Sequence, residues 1–138
     1  MHPRPISDLV FELKSKCSWL EEKIFEDTPL SPAEYKGIYV LSADDQISAA
    51  EFAVRMGISP SRTSRIIEKM LSDGYLSANH PEGNRKSILL SLTQKGRTVQ
   101  KKVHELLDEC NKSIEEKLTK KQVNSICESL QELINVMG

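Results

Sequence analysis

Apolar residues recur at spacings of three and four from the start of the chain. Ile6, Val10, Leu13, Cys17, Leu20 and Ile24 form the first series and predict one long amphipathic helix from about Ser7 to Phe25. A loop, Glu26 to Leu30, ends it. Ser31-Pro32-Ala33-Glu34 then reads as a helix start, with Ser as N-cap, Pro at the first helical position and Glu reaching back in a capping box. That helix carries Tyr35, Ile38, Tyr39 and Leu41. A polar break at Ser42-Ala43-Asp44-Asp45 follows, and Gln46-Ile47 reads as a very short strand.

Ser48-Ala49-Ala50-Glu51 reads as a second capping box, opening a short helix with Phe52, Ala53 and Met56 facing inward. Gly57 stands where a left-handed cap is needed. Ser59-Pro60 starts the next helix, which runs to Asp73 and stops at Gly74, with Thr63, Ile66, Ile67 and Met70 inward. Two short helices joined by a tight Gly-containing turn are a helix-turn-helix unit. Tyr75 to Asn79 and Ser87 to Leu92 read as strands, the second placing Ile88, Leu90 and Leu92 on one face. His80 to Lys86 supply the turn between them. Thr93 caps a long helix to about Leu118, with Val99, Val103, Leu106, Leu107, Cys110 and Ile114 inward. Thr119-Lys120-Lys121-Gln122 opens the last helix, whose stripe is Val123, Ile126, Cys127, Leu130, Leu133, Ile134 and Met137. The expected fold is mainly α with a small β-hairpin wing.

Composition narrows the class. A chain of 138 residues, 38% hydrophobic and 28% charged, is expected to form one soluble domain. No run approaches the roughly 18 apolar residues of a membrane span, and Met1 to Asp8 show no signal-peptide pattern, so no membrane partner and a cytoplasmic location are expected. Cys17, Cys110 and Cys127 form no CxxC pair, and His2, His80 and His104 are scattered, so no metal site is expected. Without a Gly-rich phosphate loop, or a nucleophile beside a base, the reading is a non-enzyme with no cofactor. The net charge of −1 hides an asymmetry. Between Arg55 and Lys102 ten basic residues meet three acids, a surplus of seven, while the remainder is acidic. A basic middle suggests one surface that meets a polyanion; a solvated mixture of charges is the plainer alternative.

From Ser48 to Arg97 the sequence resembles the MarR family of winged helix-turn-helix transcriptional regulators. The residues that carry the likeness are SAAEFAVRMGISPSRTSRIIEKMLSDGYL, a wing, and SILLSLTQKGR, with Ser91-Leu92-Thr93-Gln94-Lys95-Gly96 closing the wing. Leu30 to Tyr35 is similar to the family's entry into its second helix. The resemblance implies a single domain over 1–138, a winged DNA-binding part over 31–97, and helical dimerisation parts over 1–30 and 98–138. It also implies a homodimer on double-stranded, pseudo-palindromic DNA, acting as a repressor that a small aromatic or anionic effector releases. A winged-helix adaptor or anti-repressor without specific DNA binding is the alternative.

Residue roles follow from both lines. With Thr63, Ile66, Ile67 and Met70 inward, Ser59, Ser61, Arg62, Ser64, Arg65 and Lys69 are the candidate DNA contacts on the recognition helix. On the wing, Asn84, Arg85 and Lys86 stand where the family usually has Asp-x-Arg; the amide cannot pair ionically, and Arg85 is the substitute candidate for the groove contact. Trp19, Tyr35, Tyr39 and Phe52 are candidates for lining an effector cleft, against the plainer reading as core. If the last two helices fold back as a hairpin, Cys110 and Cys127 reach similar height and form a candidate redox pair, with Cys17 a further candidate thiol. Inert core residues are the plainer reading of all three.

Overall fold

A computed structural model describes residues 3–81 and 87–138. In chain order the elements are α1 (Ile6–Asp27), α2 (Pro32–Val40), α3 (Ala49–Met56), α4 (Pro60–Ser72), β1 (Leu76–Asn79), β2 (Leu89–Leu92), α5 (Gln94–Lys117) and α6 (Lys120–Val136). They divide into two compact units, 1–103 and 104–138, with the boundary inside α5.

Local chemistry accounts for most helix starts. Ser31 caps α2 in a complete capping box: its hydroxyl accepts from the Glu34 N–H at 3.2 Å, and the Glu34 carboxylate accepts from the Ser31 N–H at 3.1 Å. Thr119 and Gln122 do the same for α6. At α3 only half of the expected box forms. Ser48 accepts from the Glu51 N–H, but Glu51 turns its carboxylate one turn forward to Arg55 Nε at 3.3 Å. An ion pair at i,i+4 outcompetes the return bond. Gly57, at φ +69°, ends α3 in the left-handed conformation, and its N–H reaches the Ala53 and Val54 carbonyls.

The core of the first unit gathers Ile24, Leu30, Ile38, Phe52, Met56, Ile67, Met70, Leu76, Leu90 and Val103. β1 and β2 form an antiparallel hairpin in the register Leu76–Leu92, Ser77–Ser91, Ala78–Leu90 and Asn79–Leu89. Leu76 and Leu92 face inward as a pair, while the Ser77 and Ser91 hydroxyls meet at 3.0 Å on the other side. The expected strand at Gln46-Ile47 is a single bridge, Ile47 to Leu90. Ser87 and Ile88 lie outside the ladder and Ile88 is exposed. Gln100 on α5 is a buried polar residue. Its amide donates to the carbonyls of Ile38 and Leu41, at 2.9 and 2.5 Å, closing the end of α2 from α5.

In the second unit α6 buries no residue. Ile126, Leu130, Ile134 and Met137 all stand exposed. Val123 and Leu133 of the same stripe are half-buried, and the rest of it stands uncovered within this unit.

Candidate nucleic-acid interface

α4 presents the site. Ser59 caps it through a bond from the Arg62 N–H at 3.3 Å, and Pro60 occupies its first position. Thr63, Ile67 and Met70 are buried and Ile66 is half-buried, so the helix can lie on the core in one rotational setting only. That setting leaves Ser59, Ser61, Arg62, Ser64 and Arg65 exposed together over the first turn and a half. Ser59 and Ser61 place their hydroxyls 3.3 Å apart, and Ser64 donates back to the Pro60 carbonyl at 3.0 Å. The serines are thus partly committed to the helix itself. Arg62 and Arg65 are not: among the described residues neither makes an ion pair, with Glu68 or any other acid. Two unpaired guanidiniums beside a helix N-terminus form a surface that attracts phosphate and can reach base edges.

Lys69 departs from expectation. Its side chain is 55% exposed, but its ammonium donates to Asp73 Oδ2 at 2.8 Å and to Glu34 Oε1 at 3.3 Å. These two acids raise its pKa, Asp73 more than Glu34, and the Asp73 carboxyl is in turn held below the ordinary range, chiefly by Lys69. Arg55 is likewise removed from the basic surplus. It binds Asp45 at 2.6 Å, Glu51 at 3.3 Å and the Val40 carbonyl at 3.2 Å. The wing candidates Asn84, Arg85 and Lys86 lie outside the described residues.

Behind α4 the closing motif of the wing holds the helix exit. Thr93 Oγ1 donates to the Gly74 carbonyl at 2.5 Å and accepts from the Gly96 N–H at 3.0 Å. Lys95 donates to the Asp73 carbonyl at 2.6 Å and lies over the Tyr75 ring, 4.8 Å from its centroid. Gly96 backs directly onto the Tyr75 carbonyl, where no Cβ fits. A recognition helix held by a cap, a buried stripe and a clamped exit, followed by a two-stranded wing, is a winged helix-turn-helix.

Residues 30–88 match the model of the MarR family. The HTH-type transcriptional repressor YetL of Bacillus subtilis is 23% identical over 90 residues, which cover 64% of this chain and 54% of that one. The chain spans about half the length of the curated relatives it matches (54% and 48%). Among solved structures, Streptococcus pneumoniae FabT in complex with DNA is similar with a TM-score of 0.84 and 15% identity, covering 94% of this chain and 93% of FabT. Bordetella bronchiseptica BpsR, solved to explain regulation of its DNA binding by 6-hydroxynicotinic acid, gives a TM-score of 0.77 at 16% identity, covering 98% of this chain and 99% of BpsR. The matched family model and these similar proteins are those of transcriptional regulators. Among the described residues no helix is long and apolar enough to cross a membrane, and no group of His, Cys, Asp and Glu is arranged to hold a metal ion.

The other candidate residues lie in separate places. Phe52 is wholly buried and belongs to the core, so it cannot line a cleft. Trp19 is 72% exposed and borders a groove with Glu12, Ser15 and Lys16, away from the tyrosines. Tyr35 and Tyr39 do share a groove of about 540 Å³, together with Glu21, Phe25, Pro32 and Lys36. Phe25 meets Tyr35 edge-on at 5.7 Å, and Tyr35 and Tyr39 lie 6.3 Å apart. Phe25 was not singled out beforehand because it falls off the apolar stripe of α1. Burial raises the Tyr35 pKa, so its hydroxyl stays a neutral donor. Cys17, Cys110 and Cys127 are all free thiols; Cys110 is half-buried and the other two exposed. No residue of α6 is buried, and Cys110 and Cys127 are not joined to one another.

Proposed function

We propose that the protein is a sequence-specific DNA-binding transcriptional regulator that acts as a homodimer on a pseudo-palindromic site. The observation that carries this reading is the pair Arg62 and Arg65, exposed and unpaired at the start of a recognition helix whose other face is locked into the core. An arginine there can bind guanine with two parallel hydrogen bonds, worth about 1–3 kcal/mol of discrimination. The hydroxyl and backbone N–H of Ser61 suit phosphate oxygens. The uncovered stripe of α6, with exposed Ile6, Leu9 and Phe11 on α1, supports dimerisation. The name of YetL favours repression over activation. The Phe25–Tyr35–Tyr39 groove, with Lys36 at its edge, is the candidate site for a small aromatic anion, in line with the hydroxynicotinic acid named for BpsR. A cytoplasmic location follows from this role.

The test is fluorescence anisotropy with duplex DNA from upstream of the protein's own coding region, against a random duplex. Arg62→Ala and Arg65→Ala are each expected to weaken binding to the upstream duplex by about 5- to 150-fold, with the helical content unchanged. Full-affinity binding by the folded double variant would remove these residues from the interface. Equal weak binding of the native protein to both duplexes would favour a protein-binding adaptor instead.

A further inference from the structure

Lys69 stands seven residues after Arg62, two helical turns along, and so shares its side of α4. On a helix that meets DNA, a lysine at that position is expected to reach phosphate. Instead its ammonium is drawn back by Asp73 at 2.8 Å and by Glu34 at 3.3 Å. An exposed i,i+4 pair such as Lys69–Asp73 is weak alone and yields readily to a phosphate. Glu34 changes the balance. Its side chain is 1% exposed, its Oε1 accepts from the Ser31 N–H and from Lys69, and among the described residues its Oε2 has no hydrogen-bond partner. Taking Lys69 away would leave a buried carboxylate supported by one backbone N–H, the costly way to break such a pair.

We propose that Glu34 and Asp73 are specificity-determining residues of the DNA-binding surface: they hold Lys69 off the phosphate backbone and so restrain sequence-independent binding. Non-specific affinity grows with each cation that neutralises a phosphate, whereas base contacts from Arg62 and Arg65 do not depend on that count. Retaining one lysine therefore widens the gap between specific and random DNA. The proposal rests on the DNA-binding reading above.

The experiment measures affinity for a random-sequence duplex between about 50 and 200 mM salt, where the slope of log affinity against log salt counts neutralised phosphates at about 0.9 each. Glu34→Gln preserves the capping box, because Gln serves at that position, and Asp73→Asn preserves size. The double variant is expected to bind the random duplex more tightly than the native protein, with a slope steeper by about one phosphate. In a Lys69→Met background the same two changes are expected to leave the slope where it was, and Lys69→Met alone to leave the native slope unaltered. An unchanged slope in a folded Glu34→Gln/Asp73→Asn protein would overturn the proposal, as would a slope flattened by Lys69→Met alone. Should the double variant fail to fold, Glu34→Gln alone is read in its place, because it leaves only the weak exposed pair of Lys69 with Asp73: a steeper slope is expected, and an unchanged one would overturn the proposal equally. Native protein that binds no duplex at any salt would refute the DNA-binding reading itself, and the proposal with it; native binding without the steepening refutes only the proposal.

Discussion

Single residues define this fold where two backbones touch. Gly96 is the sharpest case. The helix α5 begins so close to the Tyr75 carbonyl that a methyl group would overlap its oxygen, and Leu92 crowds the same point from the side. Gly96→Ala is therefore expected to destabilise the protein by about 2 kcal/mol or more, read from urea unfolding, because backbone rather than a flexible side chain has to move. A change within 0.5 kcal/mol, the range of about ±0.5 kcal/mol typical of surface substitutions, would show that α5 can shift freely. The same proximity explains the motif Leu92-Thr93-x-x-Gly96. Leu92 fills the core, Thr93 joins the Gly74 carbonyl to the Gly96 N–H, and Gly96 lets the chain pass.

Elements are tied to one another by a few polar groups that sequence periodicity does not show. Arg55 on α3 holds the end of α2 through the Val40 carbonyl and the following loop through Asp45. Asp45 is kept ionised below the usual carboxylate range, first by the Ser42 N–H and then by Arg55. A depressed folded pKa means that this contribution is present above the unfolded value of about 3.9 and lost as pH falls through the folded one. Asp45→Asn is thus expected to lower the melting temperature most near neutral pH, with the deficit closing below about pH 3.9. A deficit of constant size from neutral pH into acid would show that Asp45 acts by shape, not by charge. Gln100 plays the matching part from α5, covering two carbonyls at the end of α2.

For the whole molecule the deciding feature is apolar surface left without a cover. α6 has its stripe on one face, yet Ile126, Leu130, Ile134 and Met137 are all exposed in the single chain. A second copy related by twofold symmetry is the economical way to bury it. Such a dimer is expected to set two recognition helices roughly 34–36 Å apart, one turn of DNA. Sedimentation is expected to show a dimer at micromolar concentration, and Leu130→Glu with Ile134→Glu to give a monomer with much weaker DNA binding. A native monomer at that concentration would remove both the dimer and the palindromic site.

Helix positions, most of their caps and the inward faces of α3 and α4 were legible in the sequence, because the period of 3.6 residues and Ser/Thr/Pro/Gly boundaries are local properties. Of the stripe expected on α1, by contrast, only Ile24 is buried, and Ile114 of α5 is exposed. Thr63, Ile67 and Met70 turned inward as their spacing required, and Arg62 and Arg65 turned outward with them. Tertiary structure alone decided which outward charges remain available. Lys69 and Arg55 look like Arg62 and Arg65 in the sequence, but acids distant along the chain, Glu34 and Asp45, bind the first two and leave the others unpaired. It also decided that Phe52 is core while Tyr35 and Tyr39 share a groove, and that α6 buries no residue. Pairings of that kind depend on which surfaces meet in space, a quantity that no local pattern of residues contains.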